Sequence, residues 1–160
     1  MFLSNRLALL FSCALLCAAA SAEPFPKGCE VSGFGFQDPF ITFNDTDEQT
    51  LFFVQNQSNI KIQLERVVVK DAFMSPKLQT TFDPGQWAAL ASDQSNTHFQ
   101  CLVRAEDTLQ QINCSKVLRI CQYPRVKFAL SNMGSYWVST NKPQAKVIQD
   151  ATKKGIYLKW

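Results

Sequence analysis

The chain is poor in the residues that most catalytic and metal-binding sites require. It contains one histidine, His98. A serine or cysteine triad needs an imidazole base, but His98 lies within a predicted strand, close to a cysteine that is expected to be oxidised. The G-x-S-x-G and H-E-x-x-H patterns of hydrolases do not occur, and a cupredoxin-like copper site would need two histidines. We therefore expect no catalytic residue, no metal site and no cofactor.

Features of other active or nucleic-acid-binding sites are equally scarce. Carboxylates able to assist glycoside cleavage cluster at Asp45–Glu48 and at Glu106–Asp107, but both clusters lie in predicted turns, where aspartate is favoured for conformational reasons. The sequence has no glycine-rich phosphate loop and no basic-aromatic motif for nucleic acid. We expect a protein that is not an enzyme and does not bind nucleic acid. A cell-wall hydrolase with a carboxylate site is the less favoured alternative.

Long apolar runs are scarce too, and the one clear run is at the start of the chain. Leu7–Ala20 is apolar, Arg6 precedes it, and an A-x-A exit ends at Ala22. These features are typical of a secretory signal peptide, and the run is short for a membrane span of about 20 residues. The sequence thus predicts a signal peptide over residues 1–22 and a single domain over residues 23–160. We expect a periplasmic or secreted protein with no membrane span.

The six cysteines divide between these two parts of the chain. Cys13 and Cys17 belong to the signal segment, and bulky residues shortly before both do not favour lipidation. Four cysteines remain in the domain, and an even number in an exported protein predicts two disulfides. Their spacing lacks the C-x-x-C pairs of zinc sites and of thioredoxin-like redox sites. The four are Cys29, Cys101, Cys114 and Cys121.

A predicted hairpin suggests how these cysteines pair. If strands 97–104 and 109–114 are joined by a four-residue loop, Val103 faces Ile112 and Cys101 faces Cys114. Directly opposed residues of an antiparallel pair are close enough to bridge. This pairing leaves Cys29 and Cys121 for a second bridge that closes a long loop. Three connectivities are possible for four cysteines, and Cys29–Cys121 with Cys101–Cys114 is the one we favour.

The rest of the domain has the pattern of short strands separated by turns. Thr50–Val54 is aromatic and β-branched, and Ile60–Glu65 alternates apolar with polar residues, so the two are expected to form a hairpin. Gln86–Leu90 follows a Pro-Gly turn and is interpreted as a strand, with a short helix as the alternative. Val126–Leu130 and Ser135–Ser139 continue the pattern. This spacing predicts a mainly β fold, an immunoglobulin-like antiparallel β-sandwich.

The C-terminal part departs from this pattern. Apolar residues recur at helical spacing, which predicts one helix over about residues 142–154. Asn141 is a plausible N-cap, and Gly155 comes directly after two lysines, as is common at a helix C-terminus. A short final strand over Ile156–Leu158 is expected after the helix.

Charge is unevenly distributed along the domain. Residues 23–114 carry 6 basic and 12 acidic side chains, whereas residues 115–160 carry 9 basic and 1 acidic side chain. A basic C-terminal third is suited to an acidic partner or an anionic surface. The alternative is a solvated face that has no partner, which the scattering of the basic residues favours.

Three aromatic residues are candidates for ligand binding. Trp87 follows the Pro-Gly turn, and the adjacent Tyr136 and Trp137 are expected to point to opposite faces of a strand. An exposed aromatic ring can stack on a sugar or anchor a protein partner. The alternative, that Trp87 and Trp137 belong to the core, is favoured because large aromatic residues are mostly buried.

Several of these segments together resemble a known family. The chain is similar to the enhanced-entry proteins of the B type, small exported proteins of intracellular gammaproteobacterial pathogens. The resemblance rests on the signal peptide and on short segments at Leu51–Asn56, Asp83–Leu90, Asn113–Val117 with Cys121, and Gly134–Val138.

This resemblance brings no catalytic motif with it. It implies a virulence-related role in host-cell entry or intracellular growth, and association with other enhanced-entry proteins. The function we expect is therefore that of a protein-interaction protein in the periplasm or outside the cell, supporting host-cell entry or the envelope. A glycan- or peptidoglycan-binding module is the alternative.

Overall fold

The computed structural model describes residues 23–44, 50–67, 79–92, 97–123, 136–156 and 158. The signal segment predicted over residues 1–22 and the strand predicted at 126–130 lie outside these residues. Within them the chain forms ten strands and two helices. The strands are β1 Phe34–Gln37, β2 Phe40–Phe43, β3 Thr50–Asn56, β4 Ile62–Arg66, β5 Gln79–Phe82, β6 Trp87–Ser92, β7 Thr97–Ala105, β8 Thr108–Ile112, β9 Leu118–Tyr123 and β10 Tyr136–Lys142; the helices are α1 Cys114–Val117 and α2 Gln144–Lys153.

The strands form two antiparallel sheets. A six-stranded sheet has the order β1-β2-β7-β4-β5, with β8 also paired to β7, and a four-stranded sheet has the order β10-β6-β3-β9. The first hydrophobic core contains side chains from both sheets, among them Phe43, Phe52 and Leu64. The prediction of a mainly β, antiparallel, disulfide-bonded fold with a C-terminal helix is confirmed, and the arrangement is compatible with an immunoglobulin-like sandwich.

The four-stranded sheet is buried on both faces. All seven residues of β3 are buried, and alternate residues enter two different cores. Phe52 and Val54 belong to the first core, while Leu51 and Phe53 belong to a second core that also includes side chains of α2. A strand buried on both sides needs a nearly continuous apolar run, and the β3 sequence TLFFVQN has one.

Helix α2 covers part of the outer face of this sheet. Val147 and Ala151 are one helical turn apart, which places them on the same side of the helix, and both are fully buried in the second core. The helix ends as predicted near Gly155, whose φ is 80°. Gly155 N donates to Thr152 O and Ile156 N donates to Ala151 O, both at 3.0 Å, which is the hydrogen-bond pattern of a Schellman motif.

Two details of the predicted C-terminal region are wrong. Asn141 is not the N-cap: Pro143 occupies that position, and Asn141 adopts a φ of 55° and accepts a hydrogen bond from Asp83 N at 2.9 Å. Residue 156 is not in a strand. Ile156 instead completes the helix C-terminus and fills the second core, so its apolar character reflects packing on the helix end.

The rest of the outer face is covered by residues 23–30, which we call the N-terminal strap. Phe25 packs edge-on against Trp87 at a centroid distance of 6.2 Å, and the Arg119 guanidinium lies 4.5 Å from the centre of the Phe25 ring. Trp87 Nε1 donates to Glu23 Oε2 at 2.7 Å, and Gln144 Nε2 donates to the Pro24 carbonyl at 2.7 Å. The strap is therefore held by both the sheet and α2.

The far end of the strap is fixed to strand β9. Cys29 forms a disulfide with Cys121, and Glu30 exchanges two backbone hydrogen bonds of 2.8 Å with Gln122. Tyr123 donates its hydroxyl hydrogen to the Lys27 carbonyl. Burial raises the pKa of Tyr123 to about 12, so its hydroxyl remains a neutral donor at physiological pH.

Strands β3 and β4 do not form the predicted hairpin. They belong to different sheets, and the chain crosses from one to the other between them. Asn56, which is fully buried, stabilises this corner. Its Nδ2 donates to the carbonyls of Ile60 at 2.7 Å and Phe82 at 3.2 Å, and its Oδ1 accepts from Ser58 N at 3.0 Å and Ser58 Oγ at 2.7 Å.

The predicted pairing of the cysteines is correct, although the register behind it is wrong. Both Cys29–Cys121 and Cys101–Cys114 are present. The β7–β8 loop has two residues rather than four, with Glu106 at a φ of 53°, and Cys101 consequently faces Ile112. Cys114 follows at the start of α1, where its Cα lies 5.4 Å from that of Cys101.

We expect the disulfide of the strap to contribute more to stability than the disulfide of the hairpin. Their sequence separations are 92 and 13, and the loss of chain entropy predicts about 4.7 kcal/mol for a ~100-residue loop against about 3 kcal/mol for a ~15-residue loop. Urea unfolding of Cys29→Ala/Cys121→Ala and Cys101→Ala/Cys114→Ala measures both losses. A smaller loss for the strap pair would contradict the prediction.

The corner generates a second prediction. In Asn56→Asp, two donors facing the Ile60 and Phe82 carbonyls become acceptors, so the free energy of unfolding should fall by roughly 2 kcal/mol or more. Asn59→Asp makes the same chemical change at an exposed position of the same loop and should change stability by less than about 0.5 kcal/mol. Equal effects of the two substitutions in urea unfolding would show that Asn56 does not stabilise the corner.

Candidate functional site

The structure supports the core interpretation for two of the three candidate binding aromatics. Trp87 is 0% exposed and Trp137 is 9% exposed, and both pack in the second core. The indole N–H of Trp87 is already engaged by Glu23. Tyr136 lies in β10, but its side chain is outside the described residues. Neither tryptophan offers an open ring face on which a sugar could stack.

The other residues considered for chemistry do not assemble a site. His98 is half-buried on β7, and its Nδ1 lies 2.9 Å from Thr42 Oγ1. Cys101 is oxidised, so it is not a nucleophile or metal ligand. Glu106 and Asp107 form the exposed β7–β8 turn, and the 45–48 cluster lies outside the described residues. Among the residues that the structure describes, no three of the histidine, cysteine, aspartate and glutamate side chains are placed to hold a metal ion.

A groove of about 410 Å³ lies between β10 and α2 and brings together three of the nine basic residues of the C-terminal third. We call it the β10–α2 groove. Strand β10, which is at the edge of its sheet, supplies one wall through residues of both its faces, and the end of α2 supplies the other. Its lining residues are Trp137, Val138, Ser139, Thr140, Lys142, Asp150, Lys153 and Lys154.

Asp150 is the centre of a hydrogen-bond network in this groove. Its Oδ2 accepts from Ser139 Oγ at 2.7 Å and from Lys142 Nζ at 2.5 Å. The Lys142 ammonium and the Ser139 hydroxyl hold the pKa of Asp150 below its usual range, and the charge of Lys153 adds to the effect. The network joins β10 to α2, because Ser139 and Lys142 belong to the strand and Asp150 to the helix.

The geometry favours a structural network over an activated serine. A general base must be able to accept a proton near neutral pH, whereas Asp150 is held ionised by a lysine and has a lowered pKa. Ser139 is buried and its hydroxyl hydrogen is directed at that carboxylate. Lys142 Nζ donates to the same oxygen, so its side chain is engaged in the ion pair.

The groove is cationic once this network is formed. Among the described residues its lining contains three lysines and one carboxylate, and Lys142 and Asp150 form an ion pair. Lys153 and Lys154 are exposed at the helix C-terminus, and neither has an ion-pair partner within the described part of the chain. Their charges are favourable at this end of the helix dipole, and they remain available to an anionic group from outside.

Sequence reasoning indicated the basic region but not this network. Ser139 and Asp150 are eleven residues apart and belong to a strand and a helix, so no local pattern connects them. One signal was available: Asp150 is the single acidic residue of residues 115–160. A lone carboxylate among nine basic residues is a plausible ion-pair partner.

A second concave region is lined by residues of the six-stranded sheet and of the segment just before β4. It measures about 440 Å³ and combines apolar side chains such as Ile60, Leu102 and Leu109 with the cations Lys61 and Arg104. Lys61 Nζ is 2.9 Å from Asp83 Oδ1, and this lysine, with the amide of Asn141, lowers the pKa of Asp83. Because Lys61 is paired, this region is less cationic than the β10–α2 groove.

The lowered pKa of Asp150 predicts a pH dependence of stability. A folded-state pKa below the ordinary 3.8 stabilises the fold above pH 3.8, and this contribution is lost as the pH falls through the lower, folded value. The difference in unfolding free energy between the wild type and Asp150→Asn should therefore shrink between pH 7 and pH 3. Lys142→Met removes the largest cause of the shift, so the contribution of Asp150 should be smaller in that background. A difference that stays constant with pH would contradict the assignment.

Comparison of the chain with protein-family models, curated proteins and solved structures finds no match. Among the described residues, no helix combines the length and apolar character that crossing a bilayer requires.

Proposed function

We propose that the protein is exported and acts, without catalysis, by binding an acidic protein partner through the β10–α2 groove. The setting would be the periplasm or the exterior of the cell, in support of host-cell entry or of the envelope. The observation that carries the proposal is the pair Lys153 and Lys154, which are exposed beside a groove whose single carboxylate is already engaged by Lys142.

Export is supported by the disulfides and by the strap. Disulfides form and persist in oxidising compartments, and this fold contains two of them. Glu23 is the first residue after the predicted cleavage site, and it is held by both its side chain and its backbone: Trp87 donates to its carboxylate at 2.7 Å and Arg119 donates to its carbonyl at 3.0 Å. A fold in which this residue has a fixed position is consistent with cleavage just before it.

The charge distribution favours an acidic partner. Of the ten charged side chains at residues 115–160, nine are basic, and four of these lysines, Lys142, Lys146, Lys153 and Lys154, lie on or next to α2. Complementary charge mainly accelerates association and selects the partner, and its effect weakens with salt. Binding at this face should therefore be sensitive to ionic strength.

The glycan-binding alternative has less support in the geometry. It requires an aromatic ring open to a sugar, and Trp87 is fully buried while Trp137 is nearly so. The carboxylates of peptidoglycan peptides would still be attracted to Lys153 and Lys154, so cell-wall material is the second ligand class that the experiment must distinguish. Membership of the enhanced-entry B-type family, and association with its other members, stays a prediction.

Affinity capture from a periplasmic extract tests the proposal. We expect the wild type to recover an acidic protein, and Lys153→Glu/Lys154→Glu to lose it, because the substitution reverses both available charges of the groove. Lys27→Glu/Arg104→Glu changes the net charge by the same amount at exposed positions outside the groove and should retain the partner. Mass spectrometry of the eluates identifies what is bound.

Two outcomes would contradict the proposal. Recovery of cell-wall fragments without a protein would favour the glycan-binding alternative. Equal loss of the partner in both double variants would show that net charge, rather than the groove, governs binding.

A further inference from the structure

The edge of strand β8 is open in a way that the other long edges of the sandwich are not. The edge of β9 is covered by the strap through Glu30 and Gln122. The edges of β5 and β10 lie side by side, with Asn141 Oδ1 accepting from Asp83 N at 2.9 Å. Strand β1 is exposed but has four residues, including Gly35. In the described part of the chain, β8 pairs with β7 on one side and with no strand on the other.

Strand β8 also lacks the usual features that prevent edge-to-edge pairing. Natural edge strands are commonly protected by charged residues, proline or bulges. The β8 sequence TLQQI contains none of these, and four of its five residues are exposed. Leu109 is 44% exposed, one of the largest exposures of an apolar side chain in the described residues.

The β7–β8 turn determines which backbone groups of β8 point outward. A two-residue turn makes Ala105 and Thr108 a hydrogen-bonded pair. Hydrogen-bonded and non-hydrogen-bonded pairs alternate along an antiparallel ladder. Gln110 therefore bonds to β7, whereas Leu109 and Gln111 direct their N–H and C=O groups away from it. These are the groups that a further strand would bind.

We propose that β8 pairs with β8 of a second copy of this chain, so that two six-stranded sheets join across a two-fold axis. An antiparallel pair centred on Gln110 places Leu109 opposite Gln111 of the second copy, and the two residues exchange their outward hydrogen bonds. By symmetry this occurs twice, and no charged side chain lies on either strand. Such a self-complementary contact is the isologous type that closes a dimer.

Charge beyond the ends of β8 favours the same arrangement. Antiparallel pairing centred on Gln110 places the acidic turn Glu106–Asp107 of one copy opposite residues 113–114 of the other, at the start of the segment 113–116. In that segment Lys116 is the charged residue and is exposed. Asp38 of the neighbouring turn accepts a hydrogen bond from Ser115 Oγ at 2.7 Å and keeps its charge, so Lys116 is the cation of this segment that can both offset Asp38 and pair with the acidic turn. This complementarity also occurs twice in the dimer.

Proline substitution at an outward-facing position tests the contact. Proline is tolerated at an edge where the N–H faces solvent, but it removes that donor. We expect the exported product of the full chain to show a dimer fraction that rises with concentration in light scattering and sedimentation. Gln111→Pro should be monomeric and folded. Gln111→Thr loses the same side-chain contact to Gln100 but keeps the N–H, so it should still dimerise.

Cysteine cross-linking locates the axis independently of folding effects. In the proposed register Gln110 faces itself, and Gln110→Cys should form an intermolecular disulfide, since directly opposed residues are close enough to bridge. Thr108→Cys faces Ile112 of the second copy and should not cross-link with itself. Lys116→Glu should weaken the dimer, and Lys116→Glu combined with Glu106→Lys/Asp107→Lys should restore it.

Three results would overturn the proposal. They are a wild type that remains monomeric over the whole accessible concentration range, a dimer that survives Gln111→Pro unchanged, and cross-linking of Thr108→Cys that equals that of Gln110→Cys. In the first of these cases, capture of an unrelated extended segment on β8 would show that the edge binds another chain and not a second copy.

Discussion

The burial of the four-stranded sheet on both faces is the constraint on which the rest of the structure depends. Strands β3, β6 and β9 carry apolar side chains on both faces of this sheet. The six-stranded sheet can cover one of the two faces. The other must be covered by something else, and the protein uses α2 and the N-terminal strap. The second core is as much a requirement of the β3 sequence as the first, because exposing Leu51 and Phe53 to water would leave a large apolar surface.

The need to cover this sheet explains how both the N-terminal strap and helix α2 are held in place. The strap is fixed at one end by the Cys29–Cys121 disulfide and at the other by Glu23 against Trp87. Helix α2, in turn, is tied to β10 by Asp150, which binds both Ser139 and Lys142. Covering the sheet therefore builds the β10–α2 groove as a consequence. The lysines that line it lie on or next to the elements that close the second core, so the cationic surface and the second core depend on the same strand and helix.

The sequence predicts the strands, helix end and disulfides that depend on local pattern. It does not predict which of the two sheets each strand joins. The strand at Trp87, the end of α2 at Gly155 and the presence of two disulfides follow from alternation, end signals and cysteine number. The prediction of a β3–β4 hairpin is wrong. An apolar strand followed by a turn has the same sequence pattern whether the next strand pairs with it or crosses to the other sheet. Asn56 stabilises the crossing between the two sheets through four hydrogen bonds that form only in the folded chain. Likewise, Ser139 and Asp150 meet because β10 and α2 pack together, which no spacing in the sequence indicates.

The role of the strap in closing the second core is tested most directly by hydrogen exchange. The exchange is measured by mass spectrometry in the wild type and in Phe25→Ala, with both disulfides intact. Phe25 lies between Trp87 and Arg119, and its removal loosens the strap without touching the first core. We expect faster exchange in β6, β9 and α2, and unchanged exchange in the six-stranded sheet. Unchanged exchange in β6 and β9, or a uniform increase over both sheets, would contradict the claim that the strap is what closes the second core.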